Sequence, residues 1–171
     1  VLLNITEDHL DRYTSYEEYI EAKARIFVNQ NSRDVAILNG DDPIVTGLGK
    51  RVKAKKILFS FKERLREGAF LNSGKIILRL EGKEESYSLA KAPLKGVHNV
   101  ENMMAALTAA KIYGASKRAM EAALDRFEGL EHRLEFGREI NGIRFFNDSK
   151  GTNVGSVVKS LQSFSDPVIL I

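Results

Sequence analysis

Four short stretches hold side chains that could do chemistry. The first pairs His9 with Lys23, fourteen residues apart. Lys23 falls on the apolar stripe of a helix that reads Tyr16, Tyr19, Ile20, Ile26 and Phe27. A lysine so placed either snorkels to water, finds an acidic partner, or loses its proton, because burial disfavours the charged amine. An uncharged amine can act as a nucleophile or take up carbon dioxide as a carbamate. The second stretch is Gly96-Val97-His98-Asn99-Val100-Glu101-Asn102, at the opening of another helix. Asn99 suits the N-cap position. Asn102, one turn further in, offers a donor and an acceptor together, which is what an adenine edge requires.

The third stretch, Leu130-Glu131-His132-Arg133-Leu134-Glu135, contains an arginine. Its guanidinium fits either an interdomain ion pair or a phosphate. The fourth, Asn147-Asp148-Ser149-Lys150-Gly151-Thr152-Asn153, leaves a strand and enters a helix. Such a turn presents backbone N–H groups and the positive end of a helix to an anion, though many α/β loops share that form.

The elements that must position these groups follow from periodicity. Val1–Asn4 reads as a buried strand, and a helix spans Glu17–Val28, opened by Ser15 with Glu18 three residues on as a capping box. Strands at Val35–Leu38 and Lys56–Phe61 flank a helix around 42–49, as in a β-α-β unit. The period then becomes two. Ala69–Asn72, Lys75–Leu80 and Glu85–Leu89 form an antiparallel meander with turns at Ser73-Gly74 and Gly82-Lys83. Helices return over 98–113, with Met103, Ala106, Leu107 and Ala110 on one face, and after Ser116, with Ala119, Met120, Ala123, Leu124 and Phe127 inward. Beyond Gly129, Leu134–Ile140 and Ile143–Asn147 flank Asn141-Gly142 as a hairpin, Asn153 caps a helix over 154–163, and Pro167–Ile171 reads as a strand. The fold class is therefore α/β: a mostly parallel sheet with flanking helices and a meander, followed by the start of a second, Rossmann-like α/β domain. The expected division is 1–128 and 129–171.

Composition narrows the function classes. In 171 residues there is no cysteine, which excludes disulfides, thiolate metal sites and a cysteine nucleophile. No apolar run is long enough for a membrane span, so a cytoplasmic protein without a membrane partner is expected. The net charge of +3 arises within residues 1–128, much of it from Lys50, Arg51, Lys53, Lys55 and Lys56. That run is a local solvated edge rather than the broad basic face with stacking aromatics that nucleic acid needs. The apolar runs at both ends, and a first residue that is not methionine, suggest a piece of a longer chain.

In order along the chain, Thr6-Glu7-Asp8-His9-Leu10-Asp11-Arg12, Glu21-Ala22-Lys23, Asn39-Gly40-Asp41-Asp42, His98-Asn99-Val100-Glu101-Asn102, His132-Arg133-Leu134-Glu135 and Asp148-Ser149-Lys150-Gly151-Thr152-Asn153 resemble the motifs of the Mur ligases. The resemblance covers essentially the whole chain. Its last segment resembles the branch that adds D-glutamate to UDP-N-acetylmuramoyl-L-alanine in peptidoglycan synthesis.

That resemblance implies an ATP-dependent ligase that acts with Mg2+. ATP phosphorylates the terminal carboxylate of the acceptor, and the amine of D-glutamate then attacks the acyl phosphate. By similarity Lys23 would be the carbamoylated lysine supporting a magnesium ion, with His9 a ligand nearby. Asn102, with Asn99 beside it, would contact adenine, Asp148 would hold the ribose, and Arg133 would reach the phosphates. Lys150 would lie near the phosphate or acyl phosphate and Thr152 near D-glutamate. No G-x-x-x-x-G-K-[ST] loop is present, so the triphosphate cradle is expected upstream, as is a uridine-binding domain. The 171 residues alone are therefore expected to be inactive, and the full enzyme to act as a monomer. The alternatives are another Mur or folylpolyglutamate-type ligase, a non-catalytic nucleotide-binding domain, and a basic nucleic-acid module resting on residues 50–56.

Overall fold

The computed structural model describes every residue except Asp8, His9 and Lys95, and of Leu10 the backbone alone. Five strands form one mixed sheet in chain order: β1 (Val35–Asn39), β2 (Lys55–Ser60), β3 (Gly68–Asn72), β4 (Lys75–Leu80) and β5 (Lys83–Ser88). The first three run parallel and the last three form the antiparallel meander. The turns are Ser73-Gly74 and Glu81-Gly82, one residue earlier than expected for the second, with φ of 48°, 72°, 52° and 75°. Positive φ at both central residues suits the twist of tight hairpins.

The parallel pair β2–β3 is joined by only a short loop, and its register covers just Phe59↔Ala69 and Ser60↔Phe70. Gly68 makes this possible. Its φ is +121°, and a Cβ there would lie 2.1 Å from the Leu58 carbonyl oxygen. The expected strand at Val1–Asn4 contracts to a single parallel bridge between Leu2 and Leu38.

Alternation along β1 divides the core. Ala36 and Leu38 face one side with Leu2, Ile5, Tyr19, Val45 and Leu48, beneath α1 (Tyr16–Ala24) and α2 (Pro43–Gly49). Ile37 faces the other with Phe59, Ile76, Leu78 and Tyr87, beneath α3 (Val97–Ile112) and α4 (Lys117–Arg126). Lys23 and the Asn99–Asn102 turn thus stand on opposite faces of the sheet.

Several boundaries differ from expectation. The helix expected over Glu17–Val28 ends at Ala24 and tightens into a 3-10 turn over Arg25–Phe27. Ser15 caps it by accepting from the Glu18 N–H, but the Glu18 carboxylate reaches Thr14 rather than Ser15, so the box is half closed. In α3 the inward face is Met104, Ala105, Leu107 and Thr108, while Ala106 is exposed. Thr108 reaches that interior because its hydroxyl donates back to the Met104 carbonyl at 2.7 Å. In α4 only Met120 and Leu124 are buried, and Ala119, Ala123 and Phe127 are exposed.

The last segment forms its own two-stranded sheet, β6 (Glu135–Ile140) with β7 (Ile143–Asn147), turning at Asn141-Gly142 as expected. α5 (Val154–Leu161) follows, capped by Asn153 in a reciprocal box with Ser156. Phe136, Phe146 and Phe164 stack edge to face in series. Residues 167–171, expected as a strand, pair with no other strand among the described residues.

Candidate functional site

The polar groups converge at the carboxyl ends of the parallel strands, where open α/β sheets usually bind ligands. The turn after β1 is dense with hydrogen bonds. Asn39, 4% exposed, accepts from the Asp41 N–H at 2.8 Å and donates to the Glu101 carboxylate at 3.4 Å. Asp41 accepts from the Ser60 hydroxyl and the Phe61 N–H, at 2.5 and 2.6 Å, fixing the exit of β2. Asp42 caps α2 through Ile44 and Val45 and also accepts from the Ile5 N–H at 3.3 Å. Tyr16 in turn donates its hydroxyl to the Ile5 carbonyl at 2.9 Å, tying α1 to the same edge.

Helix α3 begins at this edge. Its N-cap is Gly96, with φ 93° and no side-chain cap bond, so Asn99 lies inside the first turn and is not the cap. Asn102 is exposed one turn on, and Asn99 is half-buried. His98, between them and the cap, is held below the ordinary imidazole value, first by burial and then by the ammonium of Lys159; Glu101 and Asp148 oppose that shift. Asp148 and Lys159 of α5 are therefore near enough to His98 for their charges to act on it. Ser163 confirms the approach: its hydroxyl lies 2.8 Å from where a Cβ on Gly96 would stand.

Asp148 is held by the boundary segment. Its Oδ1 accepts from the Leu134 N–H at 3.0 Å, and the Lys150 N–H donates to the His132 carbonyl at 3.0 Å. His132 and Leu134 adopt φ of 64° and 47°, so Arg133 sits exposed between two left-handed residues. Such backbone is uncommon outside glycine and asparagine. Gly151 lies beneath the carboxylate, where a Cβ would come within 3.0 Å of Asp148 Oδ2. Lys150 and Thr152 are exposed on the same loop.

Hydrogen bonds join the His132–Leu134 segment, which carries Arg133, to the Asp148–Thr152 loop with Lys150, and the charge of Asp148 reaches His98 beside Asn99, with Asn102 one turn along α3. Lys23 stands apart, on the other face of the sheet. It does not point into a core: it is exposed, with its ammonium 5.1 Å from the centre of the Tyr19 ring. A long flexible stem lets a lysine on an apolar stripe do this. His9 lies outside the described residues, so the expected His9–Lys23 pairing has no geometry here. Among the described residues no group of three His, Cys, Asp or Glu side chains could hold a metal ion. Of two surface hollows, one on the hairpin around Phe145 reaches Asn147, next to Asp148, and the other lies around Arg66 and Arg79; none of the candidate residues lines either. The convergence of polar groups, rather than concavity, marks the site.

Residues 1–110 match the Mur ligase middle domain. The chain belongs to the Mur ligase family. Among curated proteins, the family member from Geotalea uraniireducens called UDP-N-acetylmuramoylalanine--D-glutamate ligase is 53% identical over all 171 residues. A protein of the same name from Geobacter metallireducens is 51% identical over 99% of the chain. This chain spans 38% of the length of each. Among solved structures, MurF from Acinetobacter baumannii matches 94% of the chain, and 36% of its own, with a TM-score of 0.76 at 22% identity. MurF from Thermotoga maritima in complex with ADP matches 95%, and 38% of its own, with a TM-score of 0.68 at 16% identity. These Mur ligase structures share the α/β fold. No described helix is long and apolar enough to cross a membrane.

Proposed function

We propose that this chain is part of an ATP-dependent ligase that joins D-glutamate to UDP-N-acetylmuramoyl-L-alanine in cytoplasmic peptidoglycan synthesis. The observation that carries this reading is the 53% identity, across the entire chain, to a D-glutamate ligase of that name. Residues 1–128 would be the later part of the central ATP-binding domain and 129–171 the start of the next. The separate two-stranded sheet after Gly129 supports that division.

In this reading the acceptor carboxylate, a poor electrophile, is converted to an acyl phosphate so that phosphate can leave when the amine attacks. The nucleotide would lie between the first turns of α3 and the Asp148 loop. Asn102 and Asn99 would meet the adenine edge with paired donors and acceptors. Asp148 has one oxygen engaged by Leu134, and its other would accept from the ribose hydroxyls. Arg133, exposed beside that loop, suits a phosphate fork. Lys150 would stand near the transferring phosphate and Thr152 near D-glutamate.

Magnesium, when bound, would neutralise phosphate charge. A carboxylated lysine supplies the hard oxygen donor such an ion prefers, and the exposed amine of Lys23 is open to that modification. His9 would stand with it, and the remaining donors would come from beyond these side chains.

The test is phosphate release by the full-length enzyme with ATP, Mg2+ and UDP-N-acetylmuramoyl-L-alanine, with single amino acids added in turn. Release that depends on D-glutamate is expected. Equal release with L-lysine or meso-diaminopimelate would assign the chain to another branch, and no release with any amino acid would contradict a ligase.

A further inference from the structure

The turn Asn39-Gly40-Asp41-Asp42 carries polar side chains to which the chemistry above gives no task. The orientation of Asn39 is fixed by its partners. A backbone N–H can only donate, so Oδ1 must face Asp41, and Nδ2 is then turned to the Glu101 carboxylate, which can only accept. Asn39 is buried, so this pairing also satisfies a side chain that water does not reach. At the other end of the contact, the Gly96 cap gives α3 no side-chain anchor. Glu101 lies next to Asn102 in the helix and holds the opening turns of α3 to the end of β1. Asp41 ties that same point to β2 through Ser60 and Phe61.

We propose that Asn39 and Glu101 are positioning residues whose contact sets the rotation of the first turns of α3, and with it the direction in which Asn99 and Asn102 are offered to a base. The inference rests on reading α3 as the nucleotide helix.

The test is a donor–acceptor exchange in the full-length ligase, read as KM for ATP and kcat. Asn39→Asp sets a carboxylate against Glu101, and KM for ATP rises about tenfold with kcat within about threefold of wild type. Glu101→Gln alone stays near wild type, because its amide oxygen still accepts from Asn39. The double variant N39D/E101Q restores a donor opposite an acceptor and returns KM to within about threefold of wild type. If Asn39→Asp does not fold, Glu101→Ala carries the test: the stranded Asn39 amide lowers the thermal midpoint, and KM for ATP rises about fivefold as well. A merely structural contact would lower the thermal midpoint and leave KM unchanged in every variant, which overturns the proposal. So does a double variant no better than Asn39→Asp. Asn102→Ala separates the two layers of inference. If it raises KM for ATP and Asn39→Asp and Glu101→Ala do not, the positioning role alone fails; if it leaves KM unchanged, the nucleotide reading falls and the positioning role with it.

Discussion

Lys23 shows how a side chain can be chemically apt and structurally dispensable. Its stem follows the apolar stripe of α1, but its ammonium lies in solvent over the Tyr19 ring, a contact worth about 0.5–1 kcal/mol at an exposed site. Lys23→Ala is therefore expected to move the thermal midpoint by no more than about 3 °C. In the full enzyme it should lower ligase activity on the order of a hundredfold or more, as loss of metal support would. Phosphate release and thermal unfolding of one preparation check both halves. Activity near wild type would remove the carbamate assignment. His98 poses the opposite case. Burial and the Lys159 ammonium hold its protonation below the ordinary imidazole range, against Glu101 and Asp148. The unfolded chain then takes up the proton more readily than the folded one. Stability from this residue is complete above about pH 6.5 and is lost as pH falls through the lower folded value. Thermal unfolding of the 171-residue chain at pH 7.5 and 5.5 should show a drop that shrinks in His98→Asn. An equal drop in the variant would place the acid sensitivity elsewhere.

At the scale of elements, local signals were legible where a residue acts on its own backbone. Asn141-Gly142, Ser73-Gly74, the Ser116 cap and the Asn153 cap all form as their residue types predict. Faces were less legible. Periodicity assigned Ala106 to the inside of α3, whereas Thr108 is inside and Ala106 is out, because a threonine can bury its hydroxyl against its own helix and alanine fits either side. The meander was readable from alternation, but the glycine that starts it was not. Gly68 is required by the passage of the chain beside Leu58, a tertiary fact with no local signature. Gly68→Ala forces a Cβ against a backbone carbonyl at a positive φ, and a loss of roughly 3 kcal/mol or more is expected. Urea unfolding measures it, and a midpoint within about 0.2 M of wild type would contradict the strain.

The whole molecule joins two halves of unequal burial. Residues 1–128 enclose both cores, while the hairpin and α5 leave Phe136, Ile143 and Val154 exposed. The candidate site residues of 129–171 stood out through the resemblance of Asp148-Ser149-Lys150-Gly151-Thr152-Asn153 to a Mur ligase motif, since many strand-to-helix turns share its general form. What holds them was not readable: the clasp of Leu134 on Asp148 and the nearness of Lys159 to His98 join positions distant in the chain, and no residue type announces the left-handed backbone at His132 and Leu134. The same limit applies to Asn39, whose partner stands 62 residues away. In the proposed reading, α3 and the Asp148 loop would grip one nucleotide from two sides. Calorimetric titration of the full-length protein with ATP tests that most directly. Asn102→Ala and Asp148→Ala should each weaken binding about tenfold, and the pair together by roughly the product, since they would hold different parts of the same molecule. Affinity unchanged in both variants would contradict it.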